Sequence, residues 1–490
     1  MTDQLPPPPD ASPGVAESHI STVFFTADRA YKILKPIQTS FLDFSTSAKR
    51  IKAADEEIRL NRRMAPDVYL GAADVREGGE LVDRMIVMQR LPARRRLRSL
   101  VKDPDLHDHL RRIVKTVATF HAAESPIIDA ADIAGRDAVA RNWRDNLHDM
   151  QPLVGDVFDR TEFDRVAHLA MRYLDHSAAL FADRLAGGFV RDGHGDLTAE
   201  DIFCLDDGPR ILDCLGFDRV LRVADVLCDV AFLAMDLDRL AGPAAADVVW
   251  RYYAEFSNEH HPESLAHHYV AYRAHVRAKV ASLRHEQGDP EAAGLARTYL
   301  HLSLRHLELA RRRLIIVGGS PGTGKTTVAR ALSREQHWSR IGSDEIRKEL
   351  TGMAPLERDF AAPGEGIYTE ETSARTYDEM FRRASLLLVH GESAILDASF
   401  SDPEQRERAR LVAQELGADL VEIECVLDVD TARQRIARRL DAGDDPSDAR
   451  PEILDALRDR QAPWPEANKL STADSSSATA EAALAVVAHR

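Results

Sequence analysis

Residues 314–326 read LIIVGGSPGTGKT, and this stretch decides the fold of the chain's C-terminal part. The apolar run Leu314-Ile315-Ile316-Val317 predicts a buried parallel strand. It runs into Gly319-Ser320-Pro321-Gly322-Thr323-Gly324-Lys325-Thr326, the phosphate-loop pattern G-x-x-x-x-G-K-[ST] in the strand–turn–helix context it requires. Gly319, Gly322 and Gly324 permit backbone conformations and close approach that a Cβ would block. The turn's N–H groups and the following helix N-terminus then form a concave site for phosphate oxygens. Residues Gly319 to Thr327, with Ser320, Pro321 and Thr323 between the glycines, are therefore candidate nucleotide contacts. Lys325 is expected on the β and γ phosphates of ATP, and the Thr326 hydroxyl on Mg²⁺.

Working outward, strands are expected near residues 314–317, 339–341, 393–396 and 420–427, with helical patterns between them. That alternation predicts a parallel, doubly wound sheet, whose ligands sit beyond the carboxyl ends of its strands. The second of these strands ends in Ile341-Gly342-Ser343-Asp344, with Arg347 one helical turn on. A carboxylate there can accept the proton of an attacking hydroxyl while the arginine steadies the acceptor; a plain helix N-cap is the other role open to Asp344. Ala394-Ile395-Leu396-Asp397 puts a carboxylate at the end of an apolar strand, as a metal-ordering residue requires. Arg433, Arg435, Arg438 and Arg439 precede a Gly/Asp-rich stretch at 441–449, and Arg435 and Arg439 share a helix face. They read either as a lid that neutralises charge during phosphoryl transfer or as an ordinary amphipathic surface. Together these features resemble the small P-loop kinases that include polynucleotide kinases, gluconate kinase-like enzymes and zeta toxins, over residues 314–465. The resemblance implies ATP, Mg²⁺ and a hydroxyl acceptor.

The first half follows a different plan. Residues 22–33 suggest a hairpin about Thr26-Ala27-Asp28, followed by a helix at 47–64 and short strands near 68–70 and 83–88. Residues 105–185 are mostly helical in spacing, and so are residues 223–312, with a strand–turn–strand at 201–213 between them. Arg191-Asp192-Gly193-His194-Gly195-Asp196-Leu197 precedes that hairpin, which ends in Ile211-Leu212-Asp213. The segment resembles the H-G-D-x-x-x-x-N loop and metal-binding aspartate of aminoglycoside phosphotransferase-like kinases, over residues 18–300. The resemblance implies Lys32 on the phosphates, with Lys35 as the alternative, and Glu57 positioning that lysine. It further implies Asp196 as catalytic base, Asp213 and Asp201 as Mg²⁺ ligands, and Asp225 and Asp229 as structural acids. Residues 88–92 would join the lobes and bind adenine. Asp201 stands where the family places asparagine, which leaves open slow catalysis or a nucleotide-binding pseudokinase that regulates the P-loop domain.

The tandem order resembles actinobacterial-type two-domain proteins. It implies an α+β bilobal protein-kinase-like N-terminal domain at 18–305 and an α/β P-loop NTPase domain with a parallel doubly wound sheet at 306–490. Residues 1–17, MTDQLPPPPDASPGVAE, lack a signal-peptide pattern and read as a disordered tail. The expected function is ATP- and Mg²⁺-dependent phosphorylation of a hydroxyl on a small molecule. A polynucleotide 5′-hydroxyl kinase is the other alternative. The net charge of −16 argues against nucleic acid as a partner. No run of about 18 apolar residues suggests a membrane span. Four cysteines without a C-x-x-C pair fit reduced thiols and a cytoplasmic location. His260-His261 and His267-His268 read as solvated, and Arg311-Arg312-Arg313 as a solvated helix end. A helix at 269–283 carries Arg273 and Arg277 on one face with Lys279 nearby. It reads as a salt-bridged surface helix, with binding of an anionic substrate as the alternative.

Overall fold

The computed structural model describes residues 13–18, 20–38, 42–354, 357, 365–442, 450–451, 454–459 and 461–488. Contacts divide the chain into two compact units. The first comprises Met1–Met171, Phe181–His261 and Leu265–Leu309; the second comprises Arg172–Leu180, Pro262–Ser264 and Ala310–Arg490. No single cut in the sequence separates them.

The first unit is a bilobal, protein-kinase-like α+β fold. Its small lobe is a five-stranded antiparallel sheet in the order β1-β2-β3-β5-β4, built from β1 (Gly14–Glu17), β2 (Ser21–Phe25), β3 (Arg29–Leu34), β4 (Tyr69–Glu77) and β5 (Glu80–Gln89). β1 shortens the expected tail: Val15 pairs with Phe24, and Ser18 ties the next turn to Ser21. Residues 1–12 of that tail lie outside the described residues. In β3 the burial alternates, so Ala30, Lys32 and Leu34 face inward. Beneath the sheet, the helix Ser47–Asn61 starts at Thr46, whose hydroxyl accepts from the Lys49 N–H, and buries Ala54, Glu57, Ile58 and Leu60. β4 and β5 are longer than their apolar cores suggest. The Gly78-Gly79 turn, with φ of +58° and +95°, lets charged, solvent-facing residues extend the hairpin.

The large lobe is helical, with two short antiparallel pairs. β6 (Val190–Asp192) pairs with β9 (Val223–Asp225), and β7 (Ile202–Leu205) with β8 (Gly208–Ile211). The helix Val226–Ala241 is buried along almost its whole length. The helix Glu263–Glu286 is no surface helix: Ala271, Arg273, Ala274, His275 and Ala278 are buried. Of the histidine pairs only His260 is exposed; His261 lies against Trp250, with ring centroids 5.4 Å apart. His268 is fully buried beside Trp143, and His267 meets His306 at 3.0 Å, which in turn meets Asp238 at 2.9 Å.

The second unit is an α/β fold with a fully parallel sheet in the order β11-β12-β10-β13-β14. Its strands are β10 (Arg313–Gly318), β11 (Ser339–Gly342), β12 (Ala394–Asp397), β13 (Asp419–Val426) and β14 (Asn468–Ser471). The buried faces of β10 and β12 pack helices on both sides, which explains their near-continuous apolar spelling. Arg312 is 2% exposed, contrary to a solvated helix end. Its guanidinium donates to the His176 and Leu388 carbonyls and stacks on Tyr173, and burial lowers its pKa. Arg311 pairs with Asp419 at 2.5 Å.

Candidate active sites

In the first unit, the inward phase of β3 brings the Lys32 ammonium to 2.9 Å from Glu57 and 2.9 Å from Asp213, which lies 181 positions away in the chain. Burial alone would lower the Lys32 pKa, but the Asp213 and Glu57 carboxylates outweigh it and raise it well above the ordinary value. The charge of Lys32 holds the Asp213 carboxyl below its usual range, whereas burial lifts that of Glu57. Lys35 points elsewhere, to the Ser18 carbonyl at 2.7 Å and to Glu17 at 2.6 Å. Asp213 has φ of +61°, a conformation that aspartate tolerates better than most residues. Asn61 fixes the next peptide, accepting from the Cys214 N–H at 2.8 Å and donating to the Glu57 carbonyl at 2.9 Å.

The loop that carries Asp196 is built around Asp229. The two Asp229 oxygens accept from the N–H groups of His194 at 2.7 Å and Gly195 at 2.8 Å, and His121 lies 3.2 Å away. Gly193 is required here, because a Cβ would stand 2.7 Å from an Asp229 oxygen. His194 is fully buried, and burial lowers its pKa; Nε2 donates to the Leu212 carbonyl while Nδ1 accepts from the Asp196 N–H. One imidazole thus joins the loop to the strand end that carries Asp213. Asp225 caps the helix Val226–Ala241 and takes both arms of Arg184 at 2.7 Å. Asp201 accepts from the Thr198 hydroxyl at 2.8 Å. Its pKa is pushed well up by burial and then by the charges of Asp213 and Asp196. Three carboxylates therefore converge. Arg277 reaches toward Asp196, with Nη1 3.5 Å from Oδ1.

In the second unit, Gly319 and Gly322 have φ of +130° and +78°. A Cβ on either would come within 2.5 Å of the Cys425 carbonyl or 2.6 Å of the Ala432 carbonyl. Thr323 closes the turn by donating to the Ser320 carbonyl at 2.8 Å, and Lys325 Nζ donates to the same carbonyl at 2.9 Å. Burial lowers the Lys325 pKa, against the nearby charges of Asp397 and Asp344. Asp397 is 6% exposed at the end of β12, and burial raises it to about 6 although Arg340 and Lys325 oppose this. The Thr326 hydroxyl bonds to it, and Arg340 donates to Oδ2 at 2.8 Å. Asp344 does not cap its helix: Gly342 occupies the cap position, and Asp344 accepts from Arg347 at 2.9 Å. The Arg347 guanidinium lies 4.9 Å from the Tyr368 ring centroid.

A cavity of about 320 Å³ opens beside the loop, lined by Gly324, Lys325, Thr326 and Thr327 together with Arg435 and Arg439. Arg435 is anchored, donating to the Thr472 carbonyl at 2.8 Å. Arg433 pairs outside with Asp430 and Asp455, and Arg438 is exposed. Residues 443–449 of the expected lid lie outside the described residues. The far wall of the cavity, Thr472, Asp474, Ser476 and Thr479, had no sequence signal. Arg340 was equally silent, since nothing in its spelling shows that adjacent strands would place it on Asp397.

Mg²⁺ takes oxygen donors and keeps several waters and phosphate oxygens, so one or two protein carboxylates suffice. Asp201 and Asp213 meet that requirement in the first unit, and Thr326 with Asp397 in the second. Among the described residues no group of three or more His, Cys, Asp or Glu side chains forms a ready-made metal cage. Also among the described residues, no helix is long and apolar enough to cross a membrane.

The AAA domain family model matches residues 314–464. Three uncharacterized mycobacterial proteins, Mb2027c of Mycobacterium bovis and MT2060 and Rv2004c of Mycobacterium tuberculosis, are each 38% identical over 463 residues, 94% of this chain and 92% of theirs. Among solved structures, a choline/ethanolamine kinase family protein from Mesorhizobium loti is similar over 61% of this chain and 92% of its own, at 13% identity and a TM-score of 0.40. The GDP and kanamycin complex of APH(2")-IIIa covers 63% of this chain and 95% of its own, at 14% identity and a TM-score of 0.37. The APS kinase CysC of Mycobacterium tuberculosis covers 36% of this chain and 98% of its own, at 21% identity and a TM-score of 0.28.

Proposed function

We propose, for a chain that belongs to one family with the mycobacterial protein Rv2004c, that it is a cytoplasmic ATP-dependent phosphotransferase with two kinase-type sites acting on small-molecule hydroxyls. The observation that carries the reading is the meeting of Lys32 with Glu57 and Asp213 at 2.9 Å each, beside the loop that holds Asp196. Phosphoryl transfer needs this set: a lysine on the phosphates, carboxylates to hold the metal and a carboxylate at the acceptor. In the first unit Asp196 takes the proton of the acceptor hydroxyl as its oxygen bonds the γ phosphorus. The bond from that phosphorus to the bridging oxygen breaks, and ADP leaves. In the second unit Asp344 has the same role, Lys325 holds the phosphates, Arg347 steadies the acceptor, and Arg435 and Arg439 flank the nucleotide. Asp201 and Asp213 would hold Mg²⁺ in one unit and Thr326 and Asp397 in the other, where it would supply neutralisation of the phosphate charge.

The test is transfer from γ-labelled ATP to metabolite pools by the full chain and by Lys32→Ala, Lys325→Ala and the double variant. Each single variant should lose one set of labelled products and the double both. Transfer unchanged in the double variant would overturn the proposal. A second reading, a regulatory nucleotide-binding first unit, is favoured by Asp201 in its cluster of acids. It predicts ATP binding that Lys32→Ala abolishes, with no product assigned to that site.

A further inference from the structure

We infer that the acceptor taken by the first unit is an anion, a hydroxy acid or a phosphorylated alcohol, whose negative charge is read by Arg277. This rests on the assignment of Asp196 as base. Three arginines gather at the Asp196 side of the large lobe, and two of them are committed. Arg273, 7% exposed, donates from Nε to the Cys228 carbonyl at 2.9 Å and lies 4.7 Å over Phe232. Arg239 donates to Asp236 at 2.6 Å and covers the Tyr299 ring at 5.6 Å. The other Asp236 oxygen accepts from the Ala199 N–H at 3.0 Å, within the loop that follows Asp196. That carboxylate is thus fully engaged.

Arg277 differs. It lies one helical turn beyond Arg273, with its guanidinium 5.8 Å from the Phe232 centroid and Tyr299 beside it. Its carboxylate partner is Asp196 at 3.5 Å, longer than a good hydrogen bond. The two side chains are 22% and 23% exposed, so both open onto solvent while their stems are packed. Arg277 therefore faces Asp196 alone as its paired carboxylate, whereas Arg273 is set on a carbonyl and Arg239 on Asp236. When Asp196 takes up the acceptor's proton, Arg277 loses the charge that faces it. A cationic acceptor would meet repulsion at the reacting hydroxyl, and a neutral one would leave Arg277 without a counter-charge. An anionic group a few atoms from that hydroxyl satisfies both.

The experiment uses the full chain in a Lys325→Ala background, loaded with a non-hydrolysable ATP analogue and Mg²⁺. Calorimetric titration compares D-gluconate, glycerol 3-phosphate, D-glucose and kanamycin. At least one anion should bind at least about tenfold more tightly than glucose or kanamycin, and which anion does so separates carboxylate from phosphate recognition. Arg277→Gln should erase that preference, whereas Arg277→Lys should keep part of it. Nucleotide binding by both variants serves as the folding control. Anion binding that survives Arg277→Gln, tighter binding of kanamycin, or no anion binding by nucleotide-loaded protein would overturn the inference. Asp196→Asn separates it from the reading beneath it: anion binding retained with turnover also retained removes Asp196 as base and leaves Arg277 as the anion site.

Discussion

Replacing Glu57 by glutamine keeps the side chain's shape and its carbonyl oxygen but removes one of two carboxylates that share the Lys32 ammonium. At 2.9 Å the gross attraction between unit charges is about 6 kcal/mol at an effective dielectric constant of about 20. Burial nevertheless raises the Glu57 pKa against the pull of Lys32, with the Asp213 charge adding to the rise. The desolvation penalty thus offsets most of the attraction, and Glu57→Gln should change stability by no more than about 1 kcal/mol, or about 2–4 °C in Tm for a domain of this size. Function should respond differently. With the Glu57 charge gone, Lys32 is drawn to Asp213 and away from the phosphates. The loss of one charge-assisted bond, about 1.5–3 kcal/mol, corresponds to roughly 10- to 100-fold in ATP affinity. Calorimetric ATP titration and thermal unfolding of the full chain, both in the Lys325→Ala background, measure the two quantities. An unchanged ATP affinity with a Tm lowered by well over about 4 °C would refute the reasoning and make the pair a structural clamp.

Three further outcomes are expected. Asp344→Asn should keep ATP binding at the second site and depress transfer by about 10²–10⁴-fold, since it removes proton acceptance and keeps shape; label transfer in the Lys32→Ala background checks this, and an undiminished rate places the base elsewhere. Asp201→Asn removes one of three converging acids, so ATP titration of the first site should show equal or tighter binding and its turnover should not fall; a tenfold weaker affinity would contradict that. Burial holds His275 at about 3, so as pH falls below about 6.5 the unfolded chain takes a proton that the folded one refuses. Stability present above that pH is then lost at up to about 1.4 kcal/mol per pH unit. His275→Phe, which keeps a ring stacked on Trp143, should flatten the slope in urea denaturation between pH 7.5 and 5, and parallel slopes would exclude His275 as the source.

Much of both sites was legible because their chemistry sits at strand ends. Asp397 and the Gly319–Thr326 loop follow apolar runs whose length announces buried strands, whereas Asp213 follows the short, half-buried β8 and was legible through the family resemblance. Lys32 could not be chosen over Lys35 from spelling alone, since the choice turns on the phase of a six-residue strand. β14 escaped notice because Leu470 is its one buried residue, and the cavity wall beyond it went with it. The buried histidines and Arg312 were misread for a common reason: polarity in a sequence signals solvent until tertiary partners, here Trp143, Asp238 and two carbonyls, are known.

The strip Arg172–Leu180 also governs the order in which the molecule can be made. Arg172 pairs with Asp419 at 2.8 Å, and Arg312 donates to His176 across 136 positions of chain. A ribosome releases the strip long before its partners, so the second unit begins with a piece already synthesised and finishes only once β13 has emerged. A fragment starting at residue 306 is missing that piece. It would leave the Arg312 guanidinium without the His176 carbonyl and the Tyr173 ring, and a buried cation stripped of partners is strongly destabilising. Each nucleotide site is therefore best silenced by point substitution within the whole chain.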